Sequence, residues 1–253
     1  MGLTDEQIER YRRDGFLLLP GLFELGRLAR WEARFEDLVL DRLPLPDRMT
    51  VMEDVVFVKG AAEPRSRLHA INKVLSFEDD PVLIEYAEDA SLLAAVRSLV
   101  GHAVMTISTN VFNKPPGIDG RHPLHQDLRY FALRPADKIV ASWTAISACR
   151  RDNGCLAVLP GSHKGPLLRH GTPDWEHVNF GFFAIEDIDP SDRVHVEMEP
   201  GDTLLFHPLL VHGSGRNESE HFRRSISTHY ASRACERPDK PHKRQPVMRP
   251  IAD

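Results

Sequence analysis

The 253-residue chain has only three cysteines, Cys149, Cys155 and Cys235. An odd number at these spacings supports neither a disulfide framework nor a cysteine zinc cage. No uninterrupted apolar stretch reaches the length of a membrane span. The opening residues, MGLTDEQIERYRRDG, lack the apolar segment of a secretory signal, so a cytoplasmic location is the expectation. Position six is Glu where a myristoylation signal after Gly2 needs Ser or Thr, and Ile251-Ala252-Asp253 is no peroxisomal address. A strong excess of one charge is also missing, and a net charge of −5 gives no reason to expect nucleic acid as a partner. The final twenty residues are locally basic through Arg237, Lys240, Lys243, Arg244 and Arg249, which reads as a solvated tail. There is no internal repeat or low-complexity segment to divide the chain.

With 42% hydrophobic and 27% charged residues, the chain can bury one substantial core, and a single domain over residues 1–253 is the expectation. Residues 1–103 read as helical. Thr4 with Gln7 makes a capping-box pattern before a short helix ending near Gly15. Leu25, Leu28, Phe35, Leu38 and Val39 recur at helical spacing, as do Leu92, Leu93, Val96 and Val100 before Gly101. From 104 to about 232 the pattern changes to short β-branched runs, VMTISTNVF, KIVASWTAIS, CLAVLP, RVHVEM, DTLLFH and RSISTHY, broken by Pro, Gly, Asn or Asp. Many short strands predict a mainly β sandwich or barrel with flanking helices. Residues 233–253 form the basic tail.

Within that β-rich part, His125 and Asp127 in HPLHQDLRYF are two positions apart, so on a strand they project from the same side and can meet one metal ion. His212 in LLFHPLLVHGSGRN is the best third ligand. Two imidazoles and one carboxylate on one face of an octahedral metal leave three positions open, as in oxygen-activating non-haem Fe(II) sites. Eleven residues later, Arg223 could hold a co-substrate carboxylate by paired charged hydrogen bonds. The spacing alone is weak in a chain with 13 histidines. A zinc hydrolase could use the same three residues without needing Arg223, and a non-catalytic ligand-binding protein could retain them.

The segments around these residues discriminate further. RHPLHQDLRYF, LRPADKIVASWTAIS and RRDNGCLAVLPGSHKG, followed by PGDTLLFHPLLVHGSGRN and FRRSISTHYAS, resemble the phytanoyl-CoA dioxygenase family. The likeness is nearest to its phytanoyl-CoA 2-hydroxylase branch. It runs from about Leu3 to Cys235, taking in DGFLLLPGLF, Met49 to Met52, INKVLSFEDD and NKPPGIDGRHPLHQD. It implies a double-stranded β-helix, a jelly-roll or cupin-like core. His125, Asp127 and His212 would be iron ligands, and Arg223 would pair with the far carboxylate of 2-oxoglutarate. Ser214, Trp143 and Lys73 match co-substrate-site positions. Asn110 departs from an apolar position of the family, and the chain stops soon after the final core strand where the family's hydroxylase continues.

The cofactors so implied are Fe(II), 2-oxoglutarate and O2, with ascorbate stimulating turnover and succinate and CO2 released. The retained carboxylate of Asp127 implies hydroxylation, since halogenating relatives carry a small residue there. The favoured substrate is a fatty acyl-CoA oxidised at carbon 2, and the alternative is a small metabolite or natural-product intermediate. Oligomeric state is left open, a monomer included. Arg224 competes with Arg223, because consecutive strand residues face opposite sides, and the resemblance selects Arg223. Trp143 reads equally as a core aromatic, and Ser214 as part of the Gly213-Ser214-Gly215 turn. Arg121 and His122 could touch substrate or be loop residues. His207 and His163 read as structural, and Asn153-Gly154 as a hairpin turn. Lys59, Arg65, Arg67, Arg129 and Arg134 could face CoA phosphates or simply be solvated. The loops after Met49 and between Gly161 and Asp189 are expected to shape the substrate entrance.

Overall fold

The structure, a computed structural model, describes residues 2–237 and 248–252. Helix α1 (Asp5–Asp14) starts where the sequence says it should. Thr4 and Gln7 form both hydrogen bonds of a capping box, and Gly15, at φ 85°, closes the helix. The chain then runs through β1 (Phe16–Leu19), α2 (Leu25–Val39), β2 (Thr50–Glu53), α3 (Val55–Val58), α4 (Arg67–Ala70), β3 (Ile71–Leu75), α5 (Ile84–Ala87) and α6 (Ala90–Val100). The strands β4 (Val104–Lys114), β5 (His122–His125), β6 (Ile139–Ala145), β7 (Leu156–Val158), β8 (His170–Gly171) and β9 (Ala184–Ile185) follow. β10 (Val194–Val196), β11 (Thr203–Phe206), β12 (His212–Ser214), β13 (Arg223–Ser232) and β14 (Arg249–Pro250) complete the chain.

Every run read as a strand after residue 103 contains one. The part before it is not only helical, however, because β1, β2 and β3 join the larger sheet. Its order is β1-β11-β6-β13-β4-β3-β2, with β14 also paired to β4. A second sheet has the order β10-β7-β12-β5, and all the pairings are antiparallel. The two stacked sheets make the jelly-roll core. The tail is also more structured than expected. Arg249 pairs with Thr106 through β14 and its guanidinium reaches Glu88 at 2.9 Å, so it is not part of a solvated tail. Lys240, Lys243 and Arg244 lie outside the described residues.

Strand alternation divides the larger sheet. On one face, Ala141, Trp143, Leu204 and Phe206 pack against Leu156, Val158 and Val196 of the second sheet. The other face, including Val111, Val140, Leu205, Ile226 and Tyr230, packs on the helices. Helix α2 buries Leu28, Trp31, Phe35, Leu38 and Val39 there, each large side chain contributing roughly 1.5–3 kcal/mol. Leu25, expected on that stripe, is 67% exposed, because at the first helical turn its direction falls outside the contact. Polar groups on this face find partners across the interface. Tyr86 Oη donates to Ser142 Oγ at 3.0 Å, and Tyr230 Oη donates to the Ala87 carbonyl at 2.9 Å.

Arg224 belongs to this helix-facing side. Its Nη1 lies 2.7 Å from Glu32 and 2.5 Å from Glu36 of α2, and its Nε donates to Asn113 Oδ1 at 3.0 Å. Arg224→Met should therefore lower unfolding free energy by about 2 kcal/mol, a value below that of a fully buried pair because both glutamates keep about a third of their exposure. Denaturant unfolding measures this. An unchanged midpoint would mean that α2 docks through apolar contacts alone.

Candidate metal and co-substrate site

The second sheet brings the first two candidate ligands together, since β12 and β5 pair with His212 opposite His125. Strand pairing ends at His125, so Asp127 is not on the strand as expected. It opens a short 3-10 turn, Asp127–Tyr130, while Gln126 stays extended at φ −120°, ψ 126°. That single extended residue preserves the two-residue alternation and aims His125 and Asp127 the same way. The Gln126 side chain points away and fixes the turn from behind. Its amide donates to the Pro166 and Leu209 carbonyls at 3.2 and 2.8 Å and accepts from Leu168 N–H at 2.8 Å.

His125, Asp127 and His212 are all buried, and each offers one ligand atom within 4.8 Å of the others. Asp127 Oδ1 lies 3.2 Å from His125 Nε2, and Oδ2 lies 3.7 Å from His212 Nε2. Nδ1 of His125 is 2.8 Å from the Pro123 carbonyl, and Nδ1 of His212 is 3.0 Å from that of Leu210. A carbonyl can accept only an Nδ1–H, so the neutral rings present bare Nε2 lone pairs to the shared point, the tautomer a metal requires. Burial pushes the His212 pKa down to about 4, with Asp127 opposing the shift. Burial alone would raise Asp127, but facing His212 and His229, with a hydrogen bond from His229 Nε2, hold its carboxyl well below the usual range. Two neutral imidazoles and one carboxylate fit a divalent first-row metal.

His229 was not singled out by the sequence. Its Nε2 lies 2.7 Å from Asp127 Oδ2, and its ring packs 4.8 Å from that of Phe131. The signal was the period-two face of β13, which puts Arg223, Ser225, Ser227 and His229 on the side facing the second sheet. His122 stacks between His125, at 4.0 Å, and Phe182, at 3.8 Å, with its buried Nε2 unpartnered. Phe182 comes from the 161–189 loop, which Asn179 ties to buried Asp54 at 2.8 Å, so this loop does cover the site. Arg121 instead pairs with Asp119 at 2.7 Å and lies under Trp175.

Beside the triad is a cavity, whose lining includes Arg223, Trp143, Ser214, Lys114, His122 and Phe182. Arg223 is 3% exposed and lies 5.3 Å from the Trp143 ring. Among the described residues its one hydrogen bond runs from Nη1 to Ser225 Oγ at 3.2 Å, and its Nε has no partner. A buried guanidinium with most donors unused is built to receive an anion. Trp143 thus serves both as core aromatic and as cavity wall. Ser214 Oγ accepts from Lys114 Nζ at 2.8 Å. Lys73 Nζ lies over the Phe112 and Phe182 rings at 5.6 and 5.1 Å, and burial lowers its pKa to about 8, with Asp127 opposing. Asn110 donates to Ser108 Oγ at 3.3 Å and does not line the cavity.

The residues read as structural have structural partners. His207 lies 3.0 Å from Asp137, and His163 lies 3.1 Å from the Arg12 carbonyl. In the 151–154 turn only Gly154 has a positive φ, of 80°, while Asn153 caps the turn through its side chain, so this is not the Asn-Gly hairpin geometry expected. A Cβ on Gly154 would lie 2.6 Å from the Gly215 carbonyl and 2.9 Å from the Lys114 side chain.

The phytanoyl-CoA dioxygenase (PhyH) family model matches residues 11–225. The chain belongs to that family. It is 45% identical over 238 residues to a probable phytanoyl-CoA dioxygenase of Caenorhabditis elegans, covering 91% of this chain and 76% of the relative. It is 43% identical to the peroxisomal phytanoyl-CoA dioxygenase of Rattus norvegicus, covering 92% and 70%. Among solved structures, it resembles the epimerase SnoN in complex with Fe3+, alpha ketoglutarate and nogalamycin RO, with TM-score 0.70, 20% identity, and coverage of 98% and 94%. EctD from S. alaskensis in its apoform gives TM-score 0.74 at 19% identity, covering 99% and 87%. These two likenesses establish the double-stranded β-helix fold. With the family membership and the His-Asp-His cluster, they make the protein a non-haem iron, 2-oxoglutarate-dependent dioxygenase.

His229→Ala should leave Asp127 Oδ2 without its closest partner and weaken Fe(II) binding by roughly 10–100-fold while secondary structure is retained. Equilibrium metal titration with circular dichroism checks this. Unchanged affinity would make the contact incidental to the metal.

Proposed function

We propose that this dioxygenase hydroxylates a fatty acyl-CoA, phytanoyl-CoA-like, at carbon 2, with His125, Asp127 and His212 as the iron ligands. The observation that carries the reading is the convergence of those three buried groups beside a buried, under-bonded Arg223. When bound, the iron supplies the activation of dioxygen, coupled to decarboxylation of 2-oxoglutarate to succinate. The protein positions and shields. Arg223 receives the far carboxylate with Ser214 and Trp143 beside it, and Lys73 adds positive charge toward the triad. The His122–Phe182 stack covers one side of His125 and keeps bulk water from it.

Support for an acyl-CoA comes from relatives at 42–45% identity that are named phytanoyl-CoA dioxygenases. Two arginines offered for CoA phosphates are engaged otherwise. Arg67 donates to the Val39 carbonyl at 2.6 Å, and Arg134 donates to the Phe131 and Leu133 carbonyls at 3.0 and 2.7 Å. Arg129 lies over the Phe183 ring of the 161–189 loop and is the better candidate. No helix among the described residues is long and apolar enough to cross a membrane. A cytoplasmic location is the proposed compartment, although the mammalian relatives are named peroxisomal.

Asp127→Ala should abolish hydroxylation and weaken Fe(II) binding. Retained activity would remove Asp127 from the ligand set. Arg223→Lys keeps the charge but loses the two-pronged geometry, so the 2-oxoglutarate requirement should rise by about 2–3 kcal/mol equivalent. An unaltered requirement would place the co-substrate elsewhere. For the substrate, succinate formation is measured with branched and straight-chain acyl-CoAs and with the corresponding free acids. The reading expects one 2-hydroxyacyl-CoA per succinate. Stimulation by small free acids alone would replace the acyl-CoA with a small metabolite.

A further inference from the structure

The cavity beside the triad holds a second buried basic side chain. Lys114, 5% exposed, is the direct cross-strand partner of Arg223 on the same face of β4 and β13. Like charges facing each other across a ladder repel, and here both are removed from water. The described residues give neither one an ion-pair partner within hydrogen-bonding reach. Lys114 spends two of its three donors on Ser214 Oγ, at 2.8 Å, and the Gly215 carbonyl. Arg223 spends one of five, with Nε orphaned. Both side chains line the same small cavity. Burial and the facing Arg223 hold the Lys114 pKa well below its usual value, and an anion placed between the two side chains would restore the ammonium and use the spare donors.

We propose that Lys114 is a second co-substrate-binding residue that shares the distal carboxylate of the 2-oxo acid with Arg223 and makes the site selective for dianionic acids. This rests on the 2-oxoglutarate reading above. Lys114 also holds Ser214, so its ammonium couples the hydroxyl that lines the cavity to the charge that fills it. Gly154 is part of the same construction, because its lack of a side chain leaves room for the Lys114 stem against the Gly215 carbonyl.

The test is calorimetric titration of Mn(II)-loaded protein with 2-oxoglutarate and with 2-oxopentanoate, which keeps the chelating keto acid and the chain length but lacks the far carboxylate. In Lys114→Met, 2-oxoglutarate affinity should fall by roughly 10–100-fold, the loss of one charged hydrogen bond. Affinity for 2-oxopentanoate should change by less than about twofold, and Lys114→Arg should recover most of the loss. Equal weakening of both acids would make Lys114 a structural support and overturn the proposal. So would undiminished 2-oxoglutarate binding in Lys114→Met. If wild-type, Mn(II)-loaded protein binds neither acid, the 2-oxoglutarate reading falls and this proposal with it.

Discussion

The structure turns on the burial of one carboxylate. Asp127 sits where the two sheets face each other, within reach of His125, His212 and His229. An isolated buried carboxylate would be strongly disfavoured. Here the neighbouring imidazoles stabilise its charge, and that requirement fixes much of the surrounding geometry. His125 must end its strand opposite His212, Gln126 must stay extended, and β13 must present His229 inward. The backbone carbonyls of Pro123 and Leu210 then choose the ring tautomers. The fold gathers the donors around one point, which limits the reorganisation needed when a metal binds.

Strand β13 separates chemistry from cohesion by alternation alone. Arg223, Ser225, Ser227 and His229 face the second sheet and the site. Arg224, Ile226, Thr228 and Tyr230 face the helices. Adjacent arginines therefore do opposite work. One stays under-bonded and able to take an anion, while the other is saturated by Glu32, Glu36 and Asn113. A one-residue slip in register would exchange them and lose both.

Much of this was legible in the chain. HxD, the distant His212 and Arg223 stood out because metal ligation and carboxylate binding need particular residue types, and the flanking segments named the family. The β-rich part after residue 103 was legible because its short β-branched runs are broken by Pro, Gly, Asn or Asp. Other features were hidden for physical reasons. FLLL and INKVL are runs of four and five residues, too short for periodicity to separate strand from helix. Lys114 and His229 looked like ordinary polar residues of strands, since only the sheet register shows that one faces Arg223 and the other Asp127. The role of Arg249 depended on β14 returning to β4 across more than a hundred residues.

The central claim is that His125, Asp127 and His212 hold an iron to which 2-oxoglutarate chelates, with Arg223 holding its far end. Anaerobic addition of Fe(II) and then 2-oxoglutarate to apoprotein tests it most directly through the weak visible charge-transfer band of a chelated keto acid. The band should appear in the wild type and be lost, at the same concentrations, in Arg223→Ala. Its absence from folded, iron-loaded wild-type protein would contradict the account and favour a hydrolytic or non-catalytic site.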